Sequence, residues 1–242
     1  VTALDWIAAN VVVAAGAAVQ GTIGFGLGLL AAPVLVLLEP RLVPGPLLVT
    51  SLLLSLLLMR REWHGIRIRD LGWSVPGRFL GTAAAVLALR VLPPERFVLA
   101  VGLLVLVAVG LSASGWHAAP TPVHLFGAGA AGGFMGTVSS IGGPPMAIVY
   151  QHEEGPRLRG TLAVFFLVGV LISLAGLAIA GRFGPRELRL ALGILPGIPA
   201  GYAVSFATAP RIRGRGLRSA VLAAAAVASG VVVVGEMMRM LG

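Results

Sequence analysis

Two clusters of small residues in this sequence have the composition to do chemistry: Gly24-Phe25-Gly26-Leu27-Gly28 and Gly142-Gly143-Pro144-Pro145. Glycine lets backbone N–H groups approach a ligand with no Cβ in the way. Pro144 and Pro145 lack backbone donors and disfavour helix at the residue before them, so both clusters read as helix breaks. Where a helix restarts, its first N–H groups are unpaired and its dipole end is positive, which suits a compact oxyanion. Neutral donors stand close by in sequence: Gln20 and Thr22 before the first cluster, Thr137, Ser139 and Ser140 before the second. Thr22 and Thr137 have a second reading, because a membrane Thr commonly bonds back to its own helix.

The residues that catalysis or metal binding would require are missing. Asp5 and Asp70 lie at segment ends, and His64, His117, His124 and His152 lie in or near loops without His-Glu-x-x-His spacing. There is no Cys, hence no thiolate nucleophile or disulfide framework. The sequence reads as a non-enzyme with no cofactor and no metal.

The elements that position the clusters follow from composition. Of 242 residues, 57% are hydrophobic and only 11% charged, with mean hydropathy +0.97. Fifty-six consecutive residues between Arg96 and Glu153, and 33 between Asp5 and Glu39, carry no charge, which excludes a water-soluble enzyme. The formal charge of +9 comes from 18 Arg and no Lys. All but Arg78 sit in short polar breaks, where positive charge flanks membrane spans and meets lipid headgroups, so the expected partners include lipid and exclude nucleic acid. The opening lacks a basic leader region, and Leu4 onward reads as a retained span.

Eight apolar segments are expected, at 6–38, 42–59, 71–89, 97–116, 122–151, 160–181, 190–208 and 219–238. The first and fifth exceed the roughly 20 residues that cross a hydrocarbon core, and each holds one glycine cluster. The fold class expected is therefore an all-α integral membrane protein with its first and fifth segments broken.

The breaks belong to an internal repeat. At an offset of 115 residues Gly21-Thr22 falls on Gly136-Thr137, Gly28 on Gly143 and Gly45 on Gly160; at 120, Pro76-Gly77 falls on Pro196-Gly197 and Gly81 on Gly201. One transmembrane transport domain over 1–242 is expected, built from duplicated units at about 4–114 and 119–241. Paired interrupted segments point to a secondary transporter's site near the bilayer midplane. With eight crossings, the Arg counts on the two sides balance. If the first and fifth segments are re-entrant, ten Arg face seven, and the ten mark the cytoplasmic side. Both layouts stay open.

Arg78 is the one charge inside an apolar span. An Arg at a helix centre costs about 2.5–3.5 kcal/mol on insertion scales, so it attracts anions in the pathway or snorkels from near the Asp70 boundary. Ile198 at the equivalent repeat position argues against a symmetric ligand role, and the short distance to the boundary favours snorkelling. Asn10 reads as a bond across helices. Tyr150 and His152, at the end of the fifth segment, are pathway candidates that read equally as interfacial anchors.

The run Gly24-Phe25-Gly26 followed by Ala31-Ala32-Pro33, with Gly142-Gly143-Pro144-Pro145 through Tyr150 to Arg159-Gly160-Thr161-Leu162, resembles the TauE/SafE (sulfite exporter, TSUP) family of membrane transporters. The likeness covers nearly the whole chain, although Phe25 and Leu27 interrupt the family's commoner Gly-Gly-Gly run. The resemblance implies secondary transport of small sulfur-containing anions such as sulfite or organosulfonates. It also draws Arg159 to the second break as an anion-steering residue. The substrate would contact Thr22, Gly24, Phe25, Gly26, Gly28, Thr137, Ser139, Ser140, Gly142, Gly143, Pro144 and Arg159, with Gln20, Arg78, Tyr150 and His152 along the pathway. A passive anion channel and a structural membrane protein are the alternatives. The expected location is a bacterial or archaeal cytoplasmic membrane, and a homo-oligomer is left open.

Overall fold

The computed structural model describes residues 2–116, 118–150, 153, 155–211 and 214–241. Among these it is all-helical: α1 (Ala3–Ile23), α2 (Leu27–Leu38), α3 (Gly45–Arg61), α4 (Ile68–Val91), α5 (Pro94–Ala113), α6 (Pro122–Ser139), α7 (Gly143–Val149), α8 (Pro156–Ile179), α9 (Pro185–Ile194), α10 (Gly197–Thr208) and α11 (Gly214–Leu241). Helix starts follow local chemistry. Thr2 and Asp5 cap α1 reciprocally, Thr121 caps α6, and proline opens α5, α6, α8 and α9, where a missing N–H costs nothing.

Ala3–Ile23, Pro40–Arg61, Pro94–Ala113, Pro156–Ile179 and Gly216–Met240 are each long and apolar enough to cross a membrane. The pair α9–α10, bent by 42°, makes a sixth if counted as one span. The expected eight segments are more than this: α4 carries Arg69, Asp70, Arg78 and Arg90, and α6 is diluted by five glycines and His124. Large apolar side chains nevertheless face outward from α1 (Leu4, Ile7, Val11), α4 (Phe79, Leu80, Leu87), α5 (Leu103, Val107) and α11 (Val227, Val231, Val234). Exposed apolar surface on this scale belongs in lipid, and the chain is an integral membrane protein.

Both expected breaks are present. Helix α1 ends at Gly24 (φ 95°), and α2 restarts after Gly26 (φ 136°); α6 ends at Ser140 (φ 63°), and α7 restarts at Gly143. A third break, between α9 and α10 at Leu195-Pro196, divides the expected 190–208 segment, whose helix begins earlier, at Pro185. Pro196 was the signal, since its ring removes a helix donor. Asn10 bridges this bend: its Nδ2 donates to Gly193 O (2.8 Å), and its Oδ1 accepts from Gly197 N (2.9 Å).

Two glycine-lined contacts set the helix arrangement. On α4 against α6, a Cβ at Gly77 would land on Phe126 O, at Gly81 on Ala130 O, at Gly129 on Ser74 O and at Gly133 on Arg78 O. Small residues one turn apart on both helices thus bring the backbones into direct contact. On α10 against α1, Gly197 and Gly201 meet Asn10 O and Ala14 O in the same way. Helix α3 packs on α8 and α9, and α11 covers α5 and α2.

Candidate functional site

The two breaks meet each other in the core. A Cβ at Gly28 would fall on the carbonyl of Ser140, and one at Gly143 would stand 2.9 Å from the Cβ of Phe25. Adding 115 to 28 and to 25 gives 143 and 140, so the two contacts interchange under the repeat offset.

A cavity of about 30 Å³ lies at this meeting point. It is lined by Gln20 of α1, Phe25 and Gly26 of the first break, and Gly28 and Leu29 of α2. Leu48 and Ser51 of α3, Arg78 of α4, Gly136 of α6, Phe166 and Val170 of α8, and the second-break residues Ser140, Ile141, Gly142, Gly143 and Pro144 complete the wall. One water needs about 10–15 Å³ by this measure, so the cavity suits a compact guest rather than an extended one.

Arg78 dominates its electrostatics. The side chain is only 2% exposed, and its Nε and Nη1 have no hydrogen-bond partner. This corrects the snorkelling expectation: the guanidinium turns inward, over the face of Phe165 at 5.1 Å from the ring centroid. Three glycines from other segments make the room. A Cβ at Gly136 would come within 2.8 Å of Nη2, one at Gly142 within 2.5 Å of Nη1, and one at Gly169 would strike Cζ and Nε. An Arg is tolerated at membrane depth only when it faces a bundle interior or cavity, which is where these glycines put it.

Gln20 supplies a further side-chain donor. Its Oε1 accepts from Leu27 N (3.2 Å), holding the start of α2 across the first break, while Nε2 is buried without a partner. In α2 the first end-bonded donor is Leu30 N, which donates to Gly26 O (3.1 Å), so the earlier N–H groups sit at a positive helix end. The two breaks differ here. Pro144 and Pro145 open α7 without donors, and the second break contributes space and the αL turn at Ser140 rather than a row of N–H groups.

Of the residues expected from sequence, Phe25, Gly26, Gly28, Ser140, Gly142, Gly143, Pro144, Gln20 and Arg78 line the cavity. Others do not. Thr22 Oγ1 donates to Ala18 O (2.7 Å) and meets Thr208 Oγ1 (2.7 Å); Thr137 bonds to Thr82 (3.1 Å) and Ser173 (2.8 Å). Ser139 donates to Met135 O (2.7 Å), and Ser140, although it lines the cavity, donates to Pro44 O (3.1 Å). These hydroxyls hold helices. Gly24 faces Leu158 and Leu162, and Tyr150 is buried at the end of α7; neither reaches the cavity wall. His152 lies outside the described residues.

Arg159 is engaged elsewhere as well. Glu62 Oε1 accepts from Arg159 Nε (2.8 Å) and from Arg61 Nε (2.9 Å), and all three side chains are largely buried. Arg61 continues to Ser205 Oγ (2.6 Å) and Gly21 O, and Arg159 to Thr22 O (3.4 Å). The cluster ties the ends of α1 and α3 to α8 and α10 beside the first break. Sequence reading missed Gly169 and Ser51, and it gave Gly136 only as a repeat marker. The signal available was a glycine or hydroxyl in an otherwise branched apolar run.

Residues 8–232 match the family model described as Sulfite exporter TauE/SafE. The chain belongs to the TauE/SafE family. No match was found among curated proteins or among solved structures. TauE/SafE proteins are membrane transporters, and in this TauE/SafE chain a buried cation stands between two broken helices.

Proposed function

We propose that this TauE/SafE chain is a secondary transporter of compact anions, sulfur-containing oxyanions such as sulfite or a small organosulfonate, bound where its two broken helices meet. One observation carries the reading: the Arg78 guanidinium is buried in the cavity wall with Nε and Nη1 unpartnered. A buried charge without a partner is costly, and an oxyanion accepting from a guanidinium fork offsets that cost with charge-assisted hydrogen bonds. Gln20 Nε2 and the start of α2 supply further donors. Among the described residues the wall holds no carboxylate to repel an anion.

The interchange of Gly28–Ser140 with Gly143–Phe25 supports a chain built from two related units, at about 4–114 and 119–241, with the site between them. Rocking of one unit against the other would expose the site alternately to each side. A bacterial or archaeal cytoplasmic membrane is the proposed location.

Proteoliposome counterflow tests the proposal. Saturable uptake of labelled sulfite, accelerated by unlabelled sulfite inside, is expected. An ohmic anion current would assign a channel, and no flux of any oxyanion would sink the transport reading.

A further inference from the structure

We infer that the site selects singly charged oxyanions over doubly charged ones, an inference that rests on the anion-binding reading above. Charge balance in the cavity decides the selection. Among the described residues, Arg78 is the one charged residue in the cavity wall, with no Asp, Glu, His or Tyr beside it. No salt bridge among the described residues engages it, and two of its nitrogens are unpartnered. A further cation, Arg218, lies 5.9 Å from the ring centroid of Phe25. It is outside the wall and donates to Ser112 O (2.8 Å). The carboxylate of Glu62, beyond the first break, is already bridged by Arg61 and Arg159.

Helix ends add only part of a charge. At the first break the start of α2 lines the cavity, while the last carbonyls of α1, Gly21 O and Thr22 O, accept from Arg61 and Arg159; at the second, α7 opens on two prolines that carry no donor. The site therefore presents one formal positive charge, that of Arg78. A monoanion neutralises it, whereas a dianion leaves a buried negative charge without a counter-ion, the arrangement that low-dielectric interiors penalise most.

Selection by valence has a consequence for coupling. Sulfite near neutral pH interconverts between hydrogensulfite and the dianion. A site that admits only hydrogensulfite moves one proton and one sulfite dianion together, as HSO₃⁻, with one net negative charge. Flux then responds to a pH gradient with no need of a carboxylate in the wall.

Purified full-length protein is tested by thermal shift against methanesulfonate, a permanent monoanion, sulfate, a permanent dianion, and sulfite across neutral pH. The expected result is stabilisation by methanesulfonate at every pH, at least tenfold weaker apparent affinity for sulfate, and a sulfite affinity that falls as pH rises through its second deprotonation. R78Q should abolish all three responses. Arg78-dependent binding of sulfate equal to or tighter than that of methanesulfonate overturns the valence inference and leaves the anion site standing. No stabilisation by any of the three overturns both.

Discussion

The guanidinium of Arg78 occupies the space that a side chain at Gly169 would take. A Cβ built on Gly169 strikes Cζ and Nε of Arg78, while Gly142 and Gly136 leave room for the other nitrogens. Three glycines from α6, the second break and α8 thus form a slot for one cation from α4. Substituting Gly169→Leu should fill that slot and drive the guanidinium out of the cavity. The expected outcome is an inserted protein whose thermal response to sulfite is lost. Retained response would show that the slot does not position Arg78.

The close contact of α4 with α6 makes a prediction about stability. Gly81→Leu would place its side chain against Ala130 O, and parting two backbones in contact should cost about 1–3 kcal/mol or more. Gly127→Ala, on the same α6 but with nothing within 4 Å of the added Cβ, should be neutral or stabilise by about 0.4–1 kcal/mol. Melting temperatures in detergent distinguish the two.

At the end of α3, Glu62 sits between Arg61 and Arg159. Glu62→Gln leaves two largely buried guanidinium groups sharing a neutral acceptor, and breaking such a pair by removing one partner costs about 3–5 kcal/mol when fully buried. With side chains 8–12% exposed, a loss near the lower end of that range is expected, read as a fall in melting temperature. An unchanged midpoint would mean that the cluster is not holding α1, α3 and α8 together.

Gln20 offers a charge test that leaves shape intact. Gln20→Glu keeps an oxygen where the amide carbonyl accepts from Leu27 N and puts a negative charge into the wall that Arg78 shares. Anion binding should be abolished by the internal counter-ion, with folding retained. Sulfite binding at wild-type affinity in this variant would argue that Gln20 and Arg78 do not serve the same guest.

Both central breaks were legible in the sequence, because glycine clusters and paired prolines act locally on the backbone. So were the membrane class and the family resemblance. The position of Arg78 was not: distance from Asp70 along the chain suggested snorkelling, and the room that draws the side chain inward comes from Gly136, Gly142 and Gly169, 58 to 91 residues away. Arg159 was expected to meet substrate, yet its partner Glu62 lies 97 residues earlier, in a contact that no local pattern encodes. Thr22 and Thr137 matched under the repeat, and that match reflects shared helix packing: each hydroxyl is already bonded across helices. The bend at Pro196 was visible as a residue and was read only as a repeat marker.

Whether the unpartnered Arg78 guanidinium binds the anion is read by calorimetric titration of the purified protein with sulfite. Truncating one partner of a buried charged hydrogen bond costs about 2–5 kcal/mol, so R78Q should bind sulfite at least about thirtyfold more weakly than wild type, with R78K between the two. Equal affinity in wild type and R78Q, with both proteins folded, would contradict the account.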